Sequence, residues 1–391
     1  MVAHSRNITL VLFIVGTALS AVVLSAVPRA EALSPLPNSN LPSAPSQNGA
    51  IAYSSDMNGN SEIYSVRADD SVPRQLTHSE EEEFAPIWSP DGTRIAYFQM
   101  KYFLPPAASY PPGAGPPISI HVMNADGSHQ RNLTPEGSHS FRNLTWSPDG
   151  KQLAVECARK STDRGGNGQI CVLNVDGSGL HRIVPTQLFG TTPSWSPDGR
   201  WIAFRGQASS MDQPAIGIYL VSPDGKQLRT ITQDGIHPGP LAWSPDGTKL
   251  AYAFGMQTKK LAVINVDGSG EHDLDIGTTS LSDPLWSPDG TRFLLMSGGV
   301  DVVNIDGTGM REVVPPEDNV ISAIWSPDGQ AIAYTYGVSG DSSSEQSGHA
   351  DRARLEVVEL DGSSPRTLVD EAIGPAGSGI LDWPPSWQAV P

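Results

Sequence analysis

Trp88-Ser89-Pro90-Asp91-Gly92, WSPDG, is the stretch whose reading decides the fold. The same five residues begin again at Trp146, Trp195, Trp243, Trp286 and Trp325. Near the end, PPSWQ (384–388) keeps the tryptophan, Trp387, and lacks the SPDG. Ser, Pro, Asp and Gly suit the four positions of a type I turn. Ser accepts at the first, Pro presets φ at the second, and Gly tolerates positive φ at the fourth. A type I turn followed by a left-handed Gly is a common hairpin connection with a bulge, so each SPDG is expected to join two antiparallel strands. Short apolar runs such as APIW and TPSW precede it. RIAYF, QLAVE, WIAFR, KLAYA, RFLLM or AIAYT follow it, all rich in β-forming residues.

A second turn recurs further along each unit: NADGS at Asn124, NVDGS at Asn174 and Asn265, NIDGT at Asn304 and ELDGS at Glu359. Ser222 to Gly225 also reads SPDG, but no Trp precedes it, and by position it is the second turn of its unit. Each unit therefore reads as four strands, here termed A (PxW), B (xIAY), C (xIYxV) and D (RxLT). Successive motif tryptophans lie 58, 49, 48, 43 and 39 residues apart, and the step from Trp325 to Trp387 is 62. Four strands per unit at a period near 45 mark a β-propeller. Blades stacked around an axis cover both faces of an inner strand, which explains why strand B is apolar almost throughout. The motif tryptophans are expected to pack between adjacent blades.

The two ends supply the blade count. The first unit starts at AIAYSSD (Ala50), already a strand B, and has no strand A of its own. The final PPSWQ is a strand A with no strand B after it. The two ends are expected to share one blade and close the ring. The fold class is then all-β: a seven-bladed β-propeller of four-stranded antiparallel blades, with the C-terminal strand paired to the N-terminal blade.

PxWSPDG followed by xIAY or xIAF, together with SSDMNGNSEIY (54–64), resembles the TolB-like β-propeller family, also called WD-like β-propeller repeats. The resemblance covers about residues 48–391. TolB itself carries an α/β domain before its propeller, so the resemblance concerns the propeller part only. TolB propellers usually have six blades, which keeps six as the alternative to the count of seven.

The balance of 25 Lys and Arg against 42 Asp and Glu gives a net charge of −17. This argues against nucleic acid and anionic membrane as partners. Residues 1–32 read as a signal peptide: Arg6, then the apolar or small run Ile8 to Val27, then Ala30-Glu31-Ala32 as a cleavage site. Residues 33–47 form a Pro/Ser/Asn linker expected to be disordered, and 48–391 form the propeller. The expectation is an exported monomer, periplasmic or extracellular, with no stable membrane insertion after cleavage. An uncleaved anchor is the alternative.

A–B and C–D turns share one rim and are nearly uniform. B–C loops and D–A connections share the other and vary in length, charge and aromatic content. Variable loops on a rigid scaffold usually carry function, so the second rim is the candidate binding face. Its candidates are Glu81, Glu82 and Glu83, the sharpest charge feature; Tyr102, Phe103 and Tyr110 in the long loop Lys101 to Pro117; and His139 and His237 in D–A connections. These histidines and His78 share no common slot and no metal-ligand spacing, so no metal or other cofactor is expected. Asp56-x-Asn58-x-Asn60-x-Glu62 alternates oxygen ligands but is too short for a calcium loop of the EF-hand type and reads as a hairpin turn. Cys157 in a strand B and Cys171 in the following strand C fall within about two residues of opposition and are a candidate disulfide.

No GxSxG, P-loop or CxxC occurs. The lack of a catalytic signature favours an exported scaffold binding a protein or peptide of the cell envelope. The alternative is a lyase or hydrolase acting on a polysaccharide at the channel mouth.

Overall fold

Each SPDG segment closes a hairpin. In the turn at Trp88 the Gly92 N–H donates to the Ser89 carbonyl at 2.9 Å, and Gly92 takes φ of 65°, open to glycine at little cost. Strand pairing extends outward from these turns. The structure, a computed structural model, describes residues 49–69, 72–101, 118–134, 139–159, 168–208, 216–232, 238–255, 260–276, 283–316, 320–338, 352–372 and 384–389. The expected signal segment and linker lie outside them.

Seven four-stranded antiparallel sheets are present, each in the order A-B-C-D. The first blade combines Ser386–Trp387 with Ala50–Ser55, Glu62–Arg67 and Arg74–Gln75. The second runs Glu82–Trp88, Arg94–Met100, Ile118–Asn124 and Arg131–Asn132. The third begins at His139–Trp146, the fourth at Leu188–Trp195, the fifth at Ala242–Trp243, the sixth at Leu285–Trp286 and the seventh at Val320–Trp325. The two ends do share a blade: Ile51 pairs with Trp387 and Ala52 with Ser386. Ser222 to Gly225 joins strands C and D of the fourth blade, Ile216–Val221 and Leu228–Thr230.

The core consists of seven seams. Every buried apolar cluster joins two successive blades, and the seam between the seventh and first blades completes the circle. Strand alternation produces this arrangement: Tyr53 faces the seventh blade, whereas its neighbour Ala52 faces the second. Motif tryptophans tie the A strands together. The indole N–H of Trp146 donates to the Ile87 carbonyl at 3.1 Å, that of Trp243 to Ser194 at 3.0 Å, and that of Trp286 to Ala242 at 3.1 Å. Each acceptor is the residue just before the preceding motif Trp, so the A strands converge at the inside of the ring.

Strand A also carries a recurrent irregularity. The register slips between Phe84 and Ile87, between Arg142 and Thr145, and between Thr191 and Ser194. In each slip a non-glycine residue, Ala85, Asn143 or Thr192, adopts φ near 50° (52°, 52° and 51°). Such bulges bend the strand and increase its twist.

Cys157 and Cys171 are joined by a disulfide with Cα atoms 5.9 Å apart. Cys157 lies opposite Gln169 and Cys171 opposite Val155, so the bridge runs diagonally between strands B and C of the third blade.

Candidate functional site

The two rims differ in how their polar groups are paired. On the turn rim each SPDG is closed upon itself. Ser147 Oγ donates to Asp149 Oδ1 at 2.7 Å, and Ser196–Asp198, Ser244–Asp246, Ser287–Asp289 and Ser326–Asp328 repeat this at 2.6 Å. The same Asp oxygen accepts the backbone N–H two residues on, as from Thr248 at 3.0 Å. These bonds favour the ionised carboxylate. The Ser147 hydroxyl holds Asp149 below the usual range, and those of Ser196 and Ser222 lead in bringing Asp198 and Asp224 down to about 2.

Opposite lies the rim of B–C loops and D–A connections. Here the hairpin turn of the first blade is latched to the segment leading into the second. The Asn60 amide donates to the carbonyls of Ser79 at 3.1 Å and Glu81 at 2.6 Å. Ser61 N–H donates to Glu82 Oε2 at 2.8 Å, and Ser61 Oγ to the Glu83 carbonyl at 2.8 Å. Asn58 donates to the Tyr64 hydroxyl at 2.7 Å. The side-chain amides of both asparagines thus act as donors, Asn58 within the hairpin and Asn60 across to the next connection.

Beneath this latch two carboxyls meet. Glu62 Oε1 accepts from Ser79 N–H at 2.8 Å, while Glu83 Oε1 accepts from Ser79 Oγ at 2.6 Å and from the Gln99 amide at 2.7 Å. Their Oε2 atoms are buried and accept no hydrogen bond from a donor among the described residues. Glu83 is raised to about 8, first by burial and further by the facing Glu62 carboxyl, with Gln99 and Ser79 holding the rise back. Two like charges so placed cannot both ionise cheaply, and Glu83 is largely protonated at neutral pH. Tyr97, on the blade behind, is raised by burial and by the same two acids.

Another buried acid, Glu371, lies near the end of strand D of the seventh blade, Arg366–Ala372. Burial raises it to about 7, the nearby Ser55 hydroxyl opposes the rise, and Asp56 adds to it. Neither of its oxygens has a hydrogen bond of good geometry among the described residues. His121, in Ile118–Asn124, is lowered to about 4, first by burial and then by Lys101. Its Nε2 lies 3.0 Å from Ser119 Oγ.

The residues singled out from sequence are distributed unequally. Glu81 and Glu82 are half-buried at the rim, while Glu83 is only 1% exposed and belongs to the seam. His139 opens strand A of the third blade, paired with Arg159. Tyr102, Phe103, Tyr110 and His237 lie outside the described residues. Among the described residues no cluster of three His, Cys, Asp or Glu could hold a metal ion. No described helix is long and apolar enough to cross a membrane. Glu371 and Tyr97 carry no sequence signal that singles them out, and Glu62 reads only as part of a hairpin turn; the available signal was an acid or phenol within an otherwise apolar strand.

A family described as the TolB beta propeller domain matches residues 115–290, from the second blade to the first turn of the sixth. That stretch is TolB-like, and it lies within the seven-bladed propeller. Over 202 residues the chain is 27% identical to the uncharacterized protein Atu1656 of Agrobacterium fabrum, with 50% of this chain and 62% of that protein covered. Over 181 residues it is 23% identical to the uncharacterized peptidase YuxL of Bacillus subtilis, with 38% of this chain and 25% of that protein covered. The chain therefore spans about three-fifths and a quarter of the lengths of these relatives. Oligogalacturonate lyase from Vibrio parahaemolyticus shares the fold: TM-score 0.55 at 13% identity, over 82% of this chain and 84% of that structure.

Proposed function

We propose that this TolB-like propeller is an exported, non-enzymatic scaffold that binds a protein or peptide of the cell envelope at its B–C and D–A rim. The partner presents basic side chains there. One observation supports this reading: the rim between the seventh, first and second blades gathers the carboxyls of Glu62, Glu82, Glu83 and Glu371, which pair with no cation among the described residues. Ion pairs flank the turns of the opposite rim, as at Lys151–Asp149 and Arg200–Asp198. On the binding rim they join outer strands, as Lys260 to Asp273 and Arg352 to Asp370. None reaches Glu62, Glu82, Glu83 or Glu371 among the described residues.

A surface of one sign attracts a partner of the other and speeds encounter. Glu371, near 7, and Glu83, near 8, lie buried beneath this rim and are partly protonated at neutral pH, so a Lys or Arg docked above them favours their ionisation through its field. Binding is therefore accompanied by proton release. Capture from envelope extract with the exported protein tests this, followed by titration calorimetry in buffers of different ionisation enthalpy. The expected result is a retained protein or peptide whose binding releases protons and weakens with salt. Cleavage of an envelope polysaccharide with no retained partner would instead support the enzymatic alternative.

A further inference from the structure

A pocket of about 530 Å³ opens on the turn rim of the fourth blade, away from the proposed partner rim. Arg200 and Trp201 line it from the A–B turn, Ser222, Asp224 and Gln227 from the C–D turn, and Arg229 from strand D. Its size is within the range of small-molecule sites.

This blade departs from its siblings at two points. The second residue after the SPDG glycine is Arg94, Gln152, Lys249, Arg292 or Ala331 in other blades and Trp201 here. In the second blade Arg94 spans the seam: it lies over Trp146 at 5.3 Å and donates to the Gly150 carbonyl at 2.8 Å. In the fourth blade the ring is supplied from within, and Trp201 packs half-buried toward the seam with the fifth blade. The C–D turn is the other departure, SPDGKQ in place of the xDGS of most blades.

Arg229 lies over Trp201, its guanidinium carbon 4.4 Å from the ring centroid. The ring restrains the guanidinium without using its N–H groups. Arg229 donates to no protein acceptor among the described residues. Arg200 gives its Nε to Asp198 at 2.6 Å, an ion pair, and its terminal nitrogens donate to no protein acceptor among the described residues. The one acid in the pocket is already engaged: Asp224 accepts from Ser222 Oγ at 2.7 Å and from the Lys226 backbone at 3.1 Å, and pairs with Lys226 Nζ at 3.1 Å. In a chain of net charge −17, the pocket therefore presents the Arg229 guanidinium beside an indole, with the outer edge of the ion-paired Arg200 next to it.

We propose that this pocket binds a small ligand carrying a carboxylate next to an apolar or ring-shaped body. The carboxylate pairs with Arg229 and Arg200, and the body rests in the bowl against Trp201. A planar guanidinium matches a planar carboxylate through two parallel N–H···O bonds, which favours carboxylate over tetrahedral or neutral groups in a pocket this size. Two sources share this chemistry, the C-terminus of a peptide and a sugar acid.

Calorimetric titration of the full protein separates them. The probes are N-acetyl-glycyl-phenylalanine and its C-terminal amide, methyl glucuronoside and methyl glucoside, and inorganic phosphate. At least one carboxylate is expected to bind, its neutral counterpart not, and phosphate more weakly. The acid that binds identifies the source. Arg229→Gln is expected to weaken that binding by roughly tenfold or more, the scale of a charge-assisted pair. Arg366→Gln, the same charge change on the seventh blade, leaves it within about a factor of two, the scale of a screened distant charge. Arg229 is exposed, so an unchanged melting temperature for Arg229→Gln shows that the fold is intact. No binding by either acid, binding of the neutral counterparts equal to the acids, phosphate tighter than both acids, or unchanged affinity in Arg229→Gln would each overturn the assignment.

Discussion

The indole N–H of Trp387 donates to the carbonyl oxygen of Gly49 at 3.2 Å, across 338 residues of sequence. Around it Gln388 N–H donates to the Ala50 carbonyl at 2.9 Å, the Gln388 side chain to Gly92 at 2.7 Å, and Trp88 N–H to Ser386 Oγ at 3.0 Å. A strand of two residues therefore binds the first blade to itself and to the second.

Removal of Pro385 to Pro391 leaves the edge of Ala50–Ser55 unpaired and strips the first seam of Trp387. Trp387→Ala alone is expected to cost about 3–5 kcal/mol, as for a buried Trp. Thermal melting checks both. A truncated protein that melts with the full chain contradicts ring closure.

Stability depends on pH through the seam acids. Glutamate in the unfolded chain titrates near ~4.3, whereas Glu83 is raised to about 8 and Glu371 to about 7. Between these values the folded state holds protons that the unfolded state has released, so stability falls as pH rises. The contribution is complete below the unfolded value and gone once pH passes the folded one. Melting temperature should therefore decline from pH ~5 to ~8, and Glu83→Gln, neutral at every pH, should flatten that decline. Parallel curves for the two proteins would show that Glu83 ionises normally.

The turn aspartates act in the opposite sense. Their folded values are lowered, so their contribution is present at neutral pH and lost on acidification. Asp246→Ala removes the acceptor of Ser244 Oγ at 2.6 Å, Thr248 N–H at 3.0 Å and Thr248 Oγ1 at 2.9 Å. A loss of about 1–2 kcal/mol is expected in urea unfolding. No loss would mean that the turn holds without its aspartate.

The Cys157–Cys171 bridge closes a loop with a sequence separation of 14. Reduction should cost about 3 kcal/mol, the chain-entropy value for a loop of this size. Thiol titration of the denatured, unreduced protein should find no free thiol. Two per chain would show that the bridge is absent.

The blades were legible because their turns are local. SPDG encodes its conformation within four residues, and the unmatched ends, AIAYSSD and PPSWQ, fix the count. The rim was less legible because its side chains are placed from afar. Glu81 to Glu83 read as one charge run, yet Glu83 is withdrawn into the seam by Ser79, Gln99 and the facing Glu62. The left-handed residues Ala85, Asn143 and Thr192 carry no glycine to announce the bulges. Trp201 and Arg229 meet only through the register of three strands.

Recognition and ring support are assigned to opposite rims. The most direct measurement compares association rate and affinity for the captured partner between Glu81→Gln/Glu82→Gln and Asp246→Ala. Glu81 and Glu82 are half-buried at the rim, so their loss should slow association and flatten its salt dependence, while Asp246→Ala lowers stability and leaves affinity unchanged. Affinity lost with Asp246→Ala and kept with the double glutamine variant would place recognition on the turn rim and contradict the division.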